Sequence, residues 1–174
     1  GPAPYLREYL REELKKWCAN HTKKDGSNYN AYTDGLKVHT TINSRLQQFA
    51  EEAMKVHISS LQKEFYKHWK GFEKAPYPSN FNWEQINKII DQGMRRSDRY
   101  IKLKKAGKSE TEIRKIFKTK IPMTLFSWDG EIDTILSPRD SIKYSKFFIH
   151  SGMMSMDPKT GHVKVYVGGI NYKH

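Results

Sequence analysis

Residues 156–169 read MDPKTGHVKVYVGG, and the architecture of the chain turns on whether this stretch is a hairpin or part of a chemical site. Asp157-Pro158-Lys159-Thr160-Gly161 has the composition of a turn, because proline fixes φ early and glycine supplies a positive φ at the far end. Met153-Met154-Ser155-Met156 precedes it and Val163-Lys164-Val165-Tyr166-Val167 follows. A hairpin over these two runs is expected, with Lys159 pointing into water.

The same punctuation recurs upstream. Asp129-Gly130 separates Thr124-Leu125-Phe126-Ser127-Trp128 from Glu131-Ile132-Asp133-Thr134-Ile135-Leu136, the pattern of a second hairpin. Asp34-Gly35 leads into Leu36-Lys37-Val38-His39-Thr40-Thr41-Ile42, whose alternation predicts a strand with one face buried. Helical spacing fills the rest. Tyr5, Leu6, Tyr9, Leu10, Leu14 and Trp17 define a first helix that ends before the polar run 21–30. Leu46, Phe49, Ala50, Ala53, His57, Leu61 and Phe65 mark the apolar stripe of a long second helix starting at Asn43 or Ser44, which Pro76 and Pro78 end. A third, capped by Ser79 or Asn82, carries Trp83, Ile86, Ile90 and Met94. Ser109-Glu110-Thr111-Glu112 is a capping box before Ile113, Ile116 and Phe117. Ser137-Pro138 starts a last helix with Ile142, Ser145, Phe148 and Ile149 on its apolar side and Gly152 as its stop. The fold class is therefore α+β, several amphipathic helices with short antiparallel β-hairpins.

With 174 residues, the chain suffices for one domain or two small pieces. Its mean hydropathy of −0.82 predicts a wet surface. No apolar run approaches the roughly 18 residues of a membrane helix, and no signal peptide opens the chain. Gly1-Pro2-Ala3-Pro4 reads like a cut in a longer protein, so any anchor is expected outside this segment. Cys18 is the single cysteine, which excludes an internal disulfide and a four-cysteine metal site. The seven histidines are scattered, and neither a metal nor a cofactor is expected.

The net charge of +12 favours an anionic partner: nucleic acid, acidic lipid headgroups or an anionic polymer. The charge is densest at Arg95-Arg96, Arg99, Lys102, Lys104-Lys105, Lys108, Arg114-Lys115, Lys118 and Lys120. Asp98, Glu110 and Glu112 interleave it, as on a solvated helical surface, and no stacking platform or nucleic-acid motif accompanies it. A small basic nucleic-acid-binding domain is the alternative function.

Two short motifs suggest serine acyl transfer. Ser60-Leu61-Gln62-Lys63 fits Ser-x-x-Lys and Lys159-Thr160-Gly161 fits Lys-Thr-Gly. In such sites the serine begins a helix, so that the lysine one turn on reaches its hydroxyl, and Lys-Thr-Gly lies on a facing edge strand. Here Ser60 falls in mid-helix and Lys-Thr-Gly in a turn, and no Ser-x-Asn follows Ser60. No catalytic residue is assigned. Glu12-Glu13 and Glu51-Glu52 are expected on solvated helical faces, and Asp129, Glu131 and Asp133 around a hairpin are too few to predict a cation site.

Several segments together resemble the class A, or bifunctional, penicillin-binding proteins. Ala3-Pro4-Tyr5-Leu6-Arg7-Glu8-Tyr9-Leu10 resembles the segment leaving their glycosyltransferase domain. Asp34 to Ile42, followed by Leu46-Gln47 and Ala50-Glu51-Glu52-Ala53, is similar to their Gly-Leu-x-Val-x-Thr-Thr-Ile strand and helix. Met156 to Gly161 running into Val167-Gly168-Gly169 resembles the hairpin that opens their transpeptidase domain. The resemblance implies a linker region over 1–70, an inserted accessory module over 71–150 and the first transpeptidase hairpin over 151–174. It also implies that the family's Ser-x-x-Lys nucleophile lies beyond the Val-Gly-Gly hairpin, its working Lys-Thr-Gly further on, and its glycosyltransferase glutamates before Ala3. A parent with peptidoglycan glycosyltransferase and D,D-transpeptidase activity then follows, together with a fragment inert by itself. It would sit on the extracytoplasmic face of the membrane. The implied partners are the flanking catalytic domains, with cell-wall proteins, peptidoglycan or anionic lipid beyond them and no specific nucleic acid.

Overall fold

The computed structural model describes residues 2–172. The elements run α1 (Pro4–Ala19), α2 (Ser44–Trp69), α3 (Trp83–Arg96), α4 (Asp98–Lys105), α5 (Glu110–Lys118), β1 (Ile121–Leu125), β2 (Ile132–Leu136), α6 (Pro138–Ser145), β3 (Met153–Met156) and β4 (Val163–Val167). β1 pairs antiparallel with β2, and β3 with β4, as two separate sheets, so the chain is α+β as the sequence predicts. It forms two compact units, one from the chain up to Ile58 together with the stretch from His150, the other from Ser59–Ile149.

In the unit over Ser59–Ile149 the helix starts follow from local chemistry. Asn82 and Ser109 each close a full capping box, with Gln85 and Glu112 as the reciprocal partners. The side chains of Ser97 and Ser137 accept from Tyr100 N and Asp140 N. Each cap satisfies an N–H that the first helical turn leaves without a partner, worth about 1 kcal/mol. Ile86, Ile90 and Met94 recur every four residues and form the buried side of α3. Met94, Ile113 and Phe117 make the core, flanked by Tyr100, Leu103 and Ile142, each fully buried side chain contributing roughly 1.5–3 kcal/mol. Gly93 permits the approach of α6, because a Cβ there would lie 2.9 Å from Ile142 Cγ2.

The other unit is smaller in elements. Its core brings Ala50 of α2 against Val165 and Val167 of β4, with Met54 alongside. The turn between β3 and β4 forms as expected: Asp157 Oδ1 accepts from Lys159 N and Thr160 N, and Gly161 takes φ 69°.

The structure corrects several details. Residues 36–42 form no ladder. Thr41 Oγ1 donates to Val163 O, and Asn43 N donates to Lys164 O, so the segment is held at its far end while Val38 stands 50% exposed. The Asp129-Gly130 hairpin starts earlier than expected, at Ile121, and its connection covers residues 126–131 rather than a two-residue turn. It is closed by a reciprocal pair between Ser127 and Gly130. The last helix ends at Ser145, well before Gly152. α4 is a separate helix that apolar periodicity did not reveal, and its start is the Ser97 cap.

The largest correction concerns α2. Most of its predicted stripe faces solvent, with Leu46, Phe49 and Leu61 at 46, 55 and 43% exposure; Ala50 of that stripe is buried as expected, but so are Gln47, Ile58 and Gln62, which lie outside it.

Candidate functional site

Neither acyl-transfer motif stands in the setting that chemistry uses, a serine at a helix start facing an edge-strand Lys-Thr-Gly. Ser60 is exposed in the interior of α2, far from either end of that helix, and Lys63 is exposed with it. Lys159 and Thr160 are exposed in the β3–β4 turn, where Asp157 binds their backbone N–H groups. The acids divide. Glu12 and Glu13 make surface ion pairs with Lys15 and Lys16, which contribute little. Glu51, expected on a solvated face, instead accepts from Ala3 N at 3.1 Å and from Gln47 Nε2 at 2.7 Å. Among the described residues no group of three or more His, Cys, Asp or Glu is placed to hold a metal ion. Asp133 accepts from Thr124 Oγ1 across the first hairpin.

The segments that carry the family resemblance meet in the unit built from the two ends of the chain. Tyr166 of β4 directs its N–H and C=O away from β3, and Gln47 meets both: Tyr166 N donates to Gln47 Oε1 at 2.8 Å, and Gln47 Nε2 donates to Tyr166 O at 3.0 Å. The glutamine amide thus stands where the peptide of a third strand would stand. Two positions back along β4, Lys164 O accepts from Asn43 N. Asn43 also caps α2 through Leu46 N. The start of α2 therefore closes the outer edge of β4, which would otherwise offer unpaired groups to another chain.

Beyond β4, Gly168 and Gly169 lie under the first residues of α1. A Cβ on Gly168 would stand 2.7 Å from Tyr5 Cβ and Cγ, and one on Gly169 2.6 Å from Tyr5 Oη. Glycine is required here for close approach rather than for turning. Tyr5 packs edge-on against Tyr172 at 5.1 Å, and Tyr172 Oη donates to Glu8 Oε2. Burial pushes the Tyr5 phenol up from its ordinary value. Ala3 sits at the head of α1 with φ 51° and is buried. That left-handed geometry costs about 1–2 kcal/mol in a residue with a Cβ, and the Ala3 N–H to Glu51 carboxylate bond offsets it. Glu51 in turn touches Gln47, so the entry to α1, the start of α2 and the end of β4 share one network.

Gln62 repeats the device in the other unit. Its Nε2 donates to Phe147 O at 2.7 Å, and Ile149 N donates to its Oε1 at 2.8 Å. Buried glutamine fits both places because one amide supplies a donor and an acceptor with the spacing of a backbone peptide.

The basic stretch is in part neutralised by its own acids. Arg114 reaches Asp91 at 3.0 Å and Glu110 at 3.6 Å, Lys108 reaches Glu112 at 3.0 Å, and Arg139 holds the other Asp91 oxygen. Burial works to raise the Asp91 carboxyl, and the bonds and charges of Arg139 and Arg114 together outweigh it, leaving it below its ordinary value. The Ser109 N–H first, then Lys108 and the Ser109 hydroxyl, draw Glu112 down to about 2. These pairs tie α3, α5 and α6 together. No aromatic platform for stacked bases stands among the charges of α4 and α5.

Comparison with known proteins gives a consistent result. Residues 73–149 match the family model described as the penicillin-binding protein middle domain. Over 188 aligned residues, covering 98% of this chain, it is 23% identical to penicillin-binding protein 1A of Rickettsia bellii (strain RML369-C). The chain spans 22% of the length of that relative. No solved structure matches. The two matches, one over an internal segment and one over nearly the whole chain, are both to penicillin-binding proteins.

Proposed function

We propose that this chain is the non-catalytic connecting region of a longer bacterial peptidoglycan synthase, which polymerises glycan in one domain and cross-links peptides in another. The observation that carries the proposal is the junction itself. Tyr5, Glu51, Gln47, Tyr166 and the Gly168-Gly169 pair come from the segments that resemble the exit of a glycosyltransferase domain and the entry of a transpeptidase domain, and they are tied into one partly buried network. Fixing where one domain ends and the next begins sets the spacing of two active sites, and delivery of a nascent strand over a fixed distance raises the effective concentration of substrate at the second site. Residues 59–149, which contain the matched middle domain, act as an accessory module with a surface for cell-wall partners.

The parent works on the extracytoplasmic face of the membrane. No helix among the described residues is long and apolar enough to cross a membrane. The chain's charge of +12 suits a position beside anionic lipid.

The test uses the longer protein carrying Gly168→Ala, with glycan polymerisation and peptide cross-linking assayed separately. The proposal predicts that polymerisation persists while cross-links per glycan fall. Equal loss of both activities, or no change in either, would count against a positioning role.

A further inference from the structure

The chain leaves α2 through a run of tight turns, and these build a cleft of about 320 Å³ in the unit over Ser59–Ile149. Phe72 N bonds to Trp69 O, Ala75 N to Phe72 O, and Tyr77 N to Lys74 O. Lys74 Nζ then fastens the loop by donating to Phe81 O at 2.9 Å. The volume lies at the lower end of the range for small-molecule sites, and four of the eight lining residues carry rings: His68, Trp69, Phe72 and Tyr77. Trp69 and Phe72 meet edge-on at 5.5 Å, the His68 ring lies nearly parallel to Phe72 at 6.3 Å, and Tyr77 lies nearly parallel to Phe81 at 6.4 Å. Phe72 is 58% exposed, although an aromatic ring of that size ordinarily finds cover.

Apart from Lys74, the polar side chains around these rings are free to meet a ligand. Among the described residues, no hydrogen bond engages the side chains of His68, Glu73 or Ser79. The Tyr77 hydroxyl is buried with no partner, a condition that costs free energy until a partner arrives. Burial also raises its pKa, so it is present as the neutral phenol, able to donate and accept.

Charge narrows the ligand. The cleft is lined by one carboxylate, Glu73, and one ammonium, Lys74. A quaternary ammonium would find rings suited to it but also the charge of Lys74, whereas an anion would face Glu73 and the negative faces of the rings. A purely apolar side chain would leave the Tyr77 hydroxyl unpaired. The class that meets every group is a neutral ring with an apolar face and a rim of hydroxyl or amide groups. We propose that the cleft formed by Trp69, Phe72 and Tyr77 binds a neutral saccharide, with a hexopyranose stacked on the aromatic rings and its hydroxyl or acetamido groups bonded by Tyr77, Glu73, Ser79 and His68. This site rests on the cleft's own chemistry and does not require the positioning role proposed above.

The test is a calorimetric and tryptophan-fluorescence titration of the 174-residue chain with an N-acetylglucosamine tetramer and with a cellulose tetramer. Saturable binding of at least one is expected. Phe72→Ala removes an exposed ring with little effect on folding and weakens binding by about three- to tenfold. Tyr77→Phe removes a hydroxyl that the free protein does not use, so its melting temperature holds or rises while its affinity falls by about three- to tenfold. Absence of saturable binding by either oligosaccharide overturns the proposal. So does binding that both variants leave unchanged, or displacement of the bound sugar by tetramethylammonium at equal concentration, which would mark a cation site. Cross-linking assays on the longer protein test the positioning role independently.

Discussion

Replacing Gln47 by leucine isolates the contribution of the junction. Leucine is close in volume, so packing against Ala50 changes little, but both hydrogen bonds to Tyr166 and the one to Glu51 are lost. Gln47 has 0% exposure, so water cannot replace the amide without opening the contact between α2 and β4. Each orphaned backbone group costs about 1–3 kcal/mol, and two such groups give roughly 2–6 kcal/mol. At roughly 2–4 °C per kcal/mol for a chain of this size, the melting temperature should fall by roughly 4–24 °C. The assay is thermal unfolding followed by circular dichroism, with urea titration to confirm that the slope is unchanged. Leu46→Gln is the matched control, because Leu46 is 46% exposed and a surface change away from special features falls within about 0.5 kcal/mol. A Gln47→Leu protein melting within a degree or two of the parent would refute the argument, since it would mean that Tyr166 is satisfied without the glutamine.

Three further predictions follow from the same geometry. Gly168→Ala should destabilise by about 1–3 kcal/mol through its clash with Tyr5, and in a double-mutant cycle Tyr5→Ala should recover much of that loss. Ser137→Ala removes the cap of α6, which also binds the Asp140 carboxylate, and should cost about 1 kcal/mol in urea titration. The folded-state pKa of Glu112 is depressed, so its stabilising contribution is complete above its ordinary value of 4.5 and is lost as the pH falls toward about 2. Asp91, also depressed, loses its contribution as the pH falls below its ordinary 3.8. Melting temperatures measured through this window should decline more steeply for the parent than for Glu112→Gln.

Features governed by neighbouring residues were legible in the sequence. Ser109 with Glu112 signals a capping box because both bonds close within one turn, and Asp157 to Gly161 signals a hairpin because the aspartate binds its own loop. The buried face of α2 was not legible. Hydrophobic periodicity scores a glutamine as polar and has no means of registering that its amide replaces a strand peptide 119 residues away. The same limit applied to Glu51, whose partner at Ala3 lies 48 residues distant, and it sent a solvated reading to a residue at the centre of the junction. Residues 36–42 alternate like a strand, yet β4 already has Asn43 and Gln47 on its free edge, which leaves that segment no ladder to join. Tyr5 and Gly168-Gly169 were visible as motif residues. Their contact was not, because a glycine kept for close approach cannot be told in sequence from one kept for a turn.

We propose that neither Ser60 nor Lys159-Thr160-Gly161 belongs to an acyl-transfer site and that this region connects catalytic domains rather than being one. Incubation of the chain with a fluorescent penicillin, followed by denaturing electrophoresis and intact mass, tests it most directly. An unmodified mass and no fluorescent band are expected, while a longer protein extending past His174 is labelled under the same conditions. A covalent adduct on this chain, lost in Ser60→Ala, would contradict it.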